Sequence, residues 1–423
     1  MALNVWFAAL GYSQPGKFKP LMDHLAARGD RVTLLSLANV TAPWDRPCVD
    51  SESFGHPVVD FPACGYRPSL RRRGRRLLSL WRQGKLADAM RKFLAGRDID
   101  TIVFGNDHGV VCGTLVQEAR RQGIPTVLMV DGVEVPPNPS YQPSLWVRSK
   151  LFALRLVVGS SPGMKPRGMN GVDLVFVMDK SSGDTMTARG VDAGRVRLVG
   201  SPELDLIAER ARQGKWQDEV PQERDRLGLP ADRPLVLFIE QPLLTGRRAQ
   251  SALIGTLVSA CERCGAVLAV KFHPRSDDPQ PWREWAESRG WGTDRVMFFK
   301  REYTVEQLIR LADVCMTVFS TAILEAMIYG KPCVLIQYLD TWLRLNYGRD
   351  YGAALDVDRP EDLPAVLSAA LNDTAQRDRL DRNRRIMLDA ELCGLDGRSA
   401  ERMRQEILGL VKAVRETQYA ASF

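Results

Sequence analysis

The chain has 423 residues, 45% hydrophobic and 26% charged, an ordinary globular composition that excludes disordered and fibrous classes. At about twice the length of a usual domain it implies two domains, each with a full core. Lys and Arg exceed Asp and Glu by 58 to 51 and the pI is near 9.0, which favours small acidic partners such as phosphates, nucleotides or anionic lipid and is too little charge for nucleic acid.

Residues 1–10 are apolar but carry no basic leader or cleavage site, so they read as a first strand at 4–10 with its loop at 11–16. A helix is predicted over 18–28, with Leu21, Met22 and Leu25 on one face, and a strand over 31–37. This alternation of strand and helix implies parallel sheets, hence an α/β fold. Residues 41–66 are rich in Pro and Gly around a short strand near 58–61. Arg71, Arg72, Arg73, Arg75 and Arg76 then place five arginines in six positions ahead of Leu77, Leu78 and Trp81. That is the makeup of a basic amphipathic helix for an anionic membrane or acceptor, and equally of a solvated helix whose leucines pack on its own sheet.

A strand at 101–104 leads into Gly105-Asn106-Asp107-His108-Gly109 and a helix to 120, and a strand at 126–130 ends at Asp131-Gly132. Both polar loops leave strand ends, where open α/β sheets bind ligands. His108 suits a general base by its resting pKa, and Asp131 by its place at the end of an apolar strand, with Glu240 more remote. A cap explains His108 as well, and a turn explains Asp131. Beyond a Pro-rich loop at 133–143 and a segment with Leu145, Leu151, Leu154 and Leu156, strands are predicted at 174–178 and near 197–199. The expected division is a first domain at 1–212, a polar linker with a short helix at 213–233, a second domain at 234–395 and a terminal helix within 396–423. Met403, Ile407, Leu410, Val411 and Val414 give that helix a stripe suited to bracing the first domain.

The second domain opens with a strand at 235–239, after which Thr245 and Arg247 lie at a strand end as phosphate or acceptor contacts, or as a plain capped turn. An apolar strand at 266–270 runs into Lys271-Phe272-His273-Pro274-Arg275. Strands follow at 296–299, 314–319, 333–336 and 353–357, the second of them turning into Ser320-Thr321-Ala322-Ile323-Leu324-Glu325. Ser320 is expected to cap that helix, whose first-turn N–H groups would form an anion site. A second helix starts after Tyr303. The eight cysteines lie mostly in apolar stretches, as reduced thiols of a cytoplasmic protein would. Cys261 and Cys264 lack the second pair of a zinc site, so no metal is expected. No uncharged apolar run reaches the ~18 residues of a membrane span.

The Lys-x-His-Pro loop at 271–274, followed by Ser-Thr-x-x-x-Glu-Ala at 320–326 and closed by Gly330-Lys331-Pro332, resembles the donor half of GT-B glycosyltransferases of the capsule and teichoic-acid type. These are the Kdo and polysialic acid transferases and the CDP-glycerol glycerophosphotransferases. The resemblance implies two Rossmann-like domains whose parallel sheets face a central cleft. It implies transfer of a sugar from a CMP-, CDP- or UDP-linked donor to a glycan or lipid-linked acceptor in cell-surface polysaccharide synthesis, at the inner face of the membrane. Lys271, His273, Pro274, Arg275, Ser320 and Thr321 would hold the nucleotide and its phosphate, with Thr245, Arg247 and Tyr303 nearby, and Glu325 would take the ribose hydroxyls. No metal or other cofactor would be needed. Asp131-Gly132 resembles the acidic element that supplies the base in bacterial polysialyltransferases, and the preference for Asp131 over His108 rests on that. Two departures stand out: Thr317 occupies the place where two-glutamate retaining enzymes carry an acid, and the first loop offers Tyr12, Ser13 and Gln14 where plant-type members carry a His. A non-hydrolysing UDP-sugar 2-epimerase and a CDP-alcohol phosphotransferase are the alternatives.

Overall fold

A computed structural model of the chain describes all residues except 12, 42–53, 67–75, 131, 136–164, 231, 242–246, 274–275, 277, 340–342 and 421–423, with backbone alone for 76–81 and 247–249. The chain divides into two compact units. The first is built from the described residues of Met1–Glu134, Gln142–Asp205 and Asp396–Phe423, the second from those of Val135–Tyr141 and Leu206–Leu395.

The first unit holds a sheet of strands β1 Asn4–Ala9, β2 Arg31–Ser36, β3 Val58–Asp60, β4 Thr101–Phe104, β5 Thr126–Met129, β6 Leu174–Val177 and β7 Val196–Leu198. Every pairing is parallel, in the order β3-β2-β1-β4-β5-β6-β7. Such strands are buried on both faces, which is why they read as unbroken apolar runs rather than alternating ones. Within β1, Val5, Phe7 and Ala9 pack under the helices Gln14–Ala27 and Ser399–Ala420, through Phe18, Leu21, Met22, Met403, Ile407 and Val411. Trp6 and Ala8 face the opposite layer, with Leu86, Met90, Leu115 and Val116 of the helices Arg76–Leu94 and Val110–Arg121. The terminal helix is also pinned by charge. Arg404 donates through Nε to Asp30 Oδ2 at 2.8 Å, and Asp30, its side chain wholly buried, accepts the Leu3 N–H at 2.9 Å.

The second unit repeats the plan with β8 Leu235–Ile239, β9 Val267–Lys271, β10 Val296–Phe299, β11 Val314–Thr317, β12 Cys333–Ile336 and β13 Leu355–Val357, parallel in the order β10-β9-β8-β11-β12-β13. Leu253, Leu257, Trp282, Leu363 and Leu367 cover one face. Two helices, Pro202–Gln213 and Trp216–Arg226, precede β8: the second is the short helix expected within the linker at 213–233, and the first, over residues assigned to the end of the first domain, buries Leu204, Ile207 and Ala208. A further helix, Thr374–Glu391, has no sequence signal: two of its five buried positions are Arg384 and Glu391. No described helix is long and apolar enough to cross a membrane.

Candidate functional site

In each sheet the chain reverses its direction of travel once, between β1 and β4 in the first and between β8 and β11 in the second. Ligands of open α/β sheets bind outside the carboxyl ends of the strands at such a switch point. The loops to inspect are therefore those after β1, β4, β8 and β11, and those of their immediate neighbours.

At the first switch point Gln14 turns back on the β1 loop, its Oε1 accepting the N–H groups of Leu10 at 2.7 Å and Gly11 at 3.0 Å. It lies so close to the β4 loop that a Cβ on Gly105 would sit 2.7 Å from its amide nitrogen, so a larger residue there would displace the Gln14 side chain. Asp107, fully buried, clips the following loop by accepting the N–H groups of Gly168 at 3.0 Å and Asn170 at 3.2 Å. His108 is exposed between these anchors. Its Nδ1 lies 3.1 Å from the carbonyl oxygen of Lys165, which only accepts, so Nδ1 carries the proton of the neutral ring and Nε2 keeps a free lone pair. The capping explanation for His108 does not hold: the N-cap of Val110–Arg121 is Gly109, at φ +92°, with no side-chain cap bond. Asp131 lies outside the described residues, as do Arg71, Arg72 and Arg75; the side chain of Arg76, first residue of its helix, does too.

In the second unit, the end of β8 organises the neighbouring loops. Glu240, 4% exposed, accepts the His273 N–H at 3.0 Å and the Ser276 hydroxyl at 2.7 Å, both on Oε2. Gln241 accepts the Phe319 N–H at 2.8 Å. Thr317 is buried, donating to the Ile239 carbonyl at 2.9 Å and accepting the Ser320 N–H at 3.2 Å, so the place of the missing acid is a fastening between strands. His273 and Ser320 are thus brought to one sheet edge, on loops tied to the same strand end. Neither Glu240 nor Gln241 was singled out from the sequence as an anchor, although a polar pair directly after a first apolar strand was the available signal.

Several expectations for this edge need correcting. The helix after β11 is only Ile323–Ile328, six residues, with Ala322 as N-cap and no side-chain cap. Ser320 precedes it in a turn in which its Oγ accepts the Ala322 N–H at 3.3 Å, while the N–H groups of Ile323 and Leu324 bond the carbonyls of Ser320 and Thr321. The expected cradle of free N–H groups is therefore largely spent, and what Ser320 and Thr321 offer a phosphate is their hydroxyl protons. Glu325 falls in the first helical turn. Lys271 is buried at the end of β9 with its ammonium donating to the Lys300 carbonyl, and burial pulls its pKa below the usual lysine value. Lys300 in turn donates to the Ser276 carbonyl at 2.8 Å. Tyr303 stacks edge-on against Phe299 and its hydroxyl reaches Glu223 at 3.4 Å, so it faces the helix Trp216–Arg226. Burial alone would raise the pKa of Glu302; its own N–H, the N–H groups of Lys300 and Arg301 and the Arg283 guanidinium outweigh it and hold the carboxyl down at about 2. Pro274, Arg275, Thr245 and the side chain of Arg247 lie outside the described residues.

Known proteins agree with this architecture. Residues 18–202 match the model of the glycosyl transferase 4-like domain. No curated protein matches the sequence. Among solved structures, a Listeria monocytogenes protein given as a UDP-N-acetylglucosamine 2-epimerase is similar at TM-score 0.63 and 15% identity, over 98% of this chain and 98% of that one. HepE from Anabaena, solved with UDP and glucose, is similar at TM-score 0.59 and 14% identity, over 96% and 99%. The wall teichoic acid polymerase TagF is similar at TM-score 0.52 and 12% identity, over 97% and 89%. At such identities the likeness is one of fold, and it agrees with the capsule and teichoic-acid type resemblance in the sequence. The fold is that of the GT-B proteins, and residues 18–202 carry the match to a glycosyl transferase domain.

Proposed function

We propose that this chain transfers a glycosyl group from a CMP-, CDP- or UDP-linked sugar to a hydroxyl of a glycan or lipid-linked acceptor in cell-surface polysaccharide synthesis, without a metal ion. The observation that carries this reading is the attachment of the His273 and Ser320 loops to one strand end at the switch point of the second sheet. Glycosyl transfer needs a base for the acceptor proton and positive or hydrogen-bonding groups for the charge that gathers on the departing phosphate. As the acceptor oxygen bonds to the anomeric carbon and the carbon–phosphate oxygen bond breaks, the second unit meets the phosphate with His273, Arg275 and the hydroxyls of Ser320 and Thr321. Glu325 takes the ribose hydroxyls. The first unit supplies the base, His108 or Asp131.

A thermal-shift screen of the protein against CMP, CDP, UDP and GDP tests the donor class, because a ligand that binds only the folded state raises its melting temperature. One of them should do so, and His273→Ala should weaken that ligand by about 1.5–3 kcal/mol, the worth of a charge-assisted contact. Ser320→Ala should weaken it as well. Unchanged affinity in both variants removes the assignment. Excess EDTA should leave turnover intact, and loss restored by a divalent ion overturns the metal-free scheme.

A second reading, a nucleotide-sugar 2-epimerase, is favoured by the fold likeness to a protein so described. It needs no acceptor, so conversion of nucleotide sugar alone separates the two. For the arginines at 71–76 we propose contact with anionic lipid or an anionic acceptor at the membrane's inner face. Sedimentation with anionic liposomes should occur at low salt, fall at high salt where charges are screened beyond ~10 Å, and vanish when Arg71, Arg72, Arg75 and Arg76 become Ser. A wild type that never sediments removes the membrane role.

A further inference from the structure

The end of β8 carries two polar side chains where a buried strand would be expected to end in solvent. Glu240 is 4% and Gln241 8% exposed, and both spend their oxygens on neighbouring loops. On Glu240, Oε2 takes the His273 N–H and the Ser276 hydroxyl, and Oε1 lies 3.4 Å from the Gln250 amide nitrogen. The Ser276 N–H closes the same span by bonding the His273 carbonyl at 2.9 Å. Gln241 takes the Phe319 N–H, next to Ser320. A buried carboxylate is costly unless it is hydrogen-bonded, so each oxygen strongly favours the loop arrangement that satisfies it. A carboxylate so engaged and so little exposed is suited to holding these loops rather than to taking a proton, and the variants below separate the two roles.

We infer that Glu240 and Gln241 are positioning residues, a two-residue clip that holds the β9 loop carrying His273 and the β11 loop carrying Ser320 in register for a nucleotide phosphate. The inference rests on the donor-site reading above. Its physical content is preorganisation: loops already held in the bound arrangement cost less ordering when the ligand arrives. Gln at position 240 can keep the two bonds that Oε2 takes. Its carbonyl oxygen accepts both Oε2 bonds, and its NH2 meets Gln250 after that amide turns over. A base, by contrast, does not survive the change.

The test measures CMP, CDP and UDP affinity, turnover and amide hydrogen exchange over residues 270–280 and 317–324 in wild type, Glu240→Ala and Glu240→Gln. Glu240→Ala should raise the nucleotide Kd by ~10-fold or more and lose protection over 272–276. Glu240→Gln should return both to within ~3-fold of wild type. Should Glu240→Ala not fold, Ser276→Ala and Gln241→Ala each remove one clip bond and should lose protection in their own loop alone. Unchanged protection and affinity in the alanine variants overturns the inference. So does a Glu240→Gln variant that binds nucleotide normally and keeps its protection but has lost turnover, since that is the mark of proton transfer. If wild type binds none of CMP, CDP and UDP, the donor reading fails, and hydrogen exchange still decides the clip.

Discussion

His108→Ala should lower turnover at saturating donor and acceptor by ~10²–10⁴, the usual worth of a general base, and leave nucleotide affinity unchanged. The expectation rests on three features of the first switch point. His108 is exposed, its Nδ1 proton is directed at the Lys165 carbonyl, and its Nε2 is left as an acceptor. The loop that bears it is also held: its neighbour Asp107 is buried and bonded to Gly168 and Asn170, so the ring is presented from a fixed base. Positioning of this kind lets a single side chain contribute several powers of ten. Asp131→Asn keeps shape and turn propensity but cannot take a proton, and serves as the partner experiment. Near-normal turnover in His108→Ala with a collapse in Asp131→Asn hands the role to Asp131 and returns the assignment to the sequence resemblance. A loss of nucleotide affinity in His108→Ala contradicts the proposed division of labour between the units.

What the sequence made legible follows from the kind of burial involved. Strands of a doubly covered parallel sheet must be apolar on both faces, so runs such as Leu235–Ile239 and Val314–Thr317 stood out by composition alone, and the alternation of strands with helices implied the topology. The helix Thr374–Glu391 was hidden for the opposite reason, its buried face being built partly from Arg384 and Glu391. At the site, the identity of the loops was readable because ligand loops sit at strand ends, yet their internal hydrogen bonds were not. Ser-Thr before an apolar run suggests a capped helix start, but three residues went into a turn because Thr317 and Gln241, one on β11 and one after β8, claim the N–H groups of Ser320 and Phe319. The contact of Tyr303 with Glu223 was not readable for the same reason, since its partner lies 80 positions away on the short helix within the linker. Glu240 looked like a reactive acid at a strand end, and only its partners reveal an anchor.

The second large effect expected is on stability, at Arg404. Its guanidinium supplies two bonds to Asp30, from Nε at 2.8 Å and Nη2 at 3.3 Å, and the Asp30 side chain has no exposed surface. Removing one partner of a buried pair strands the other charge in a medium that does not solvate it, at a cost of about 3–5 kcal/mol. Arg404→Met keeps an unbranched apolar stem while deleting the guanidinium, so it should destabilise by that amount, seen as loss of amide protection along Ser399–Ala420. The pairs Glu401 makes with His24 and Arg28 at 3.0 and 3.3 Å are partly exposed, and Glu401→Gln should cost about 1 kcal/mol or less. The contrast separates the buried charge from the helix's surface ion pairs in general. Asp30→Asn in the Arg404→Met background provides the decisive arm. The amide still accepts the Leu3 N–H but carries no charge, so the double variant should recover part of the loss, a coupling of about 0.5–3 kcal/mol in a double-mutant cycle. If Arg404→Met stays within about 0.5 kcal/mol of wild type, or the double variant is simply the sum of the singles, the helix is held by the apolar stripe of Met403, Ile407 and Val411 alone and the pair contributes nothing.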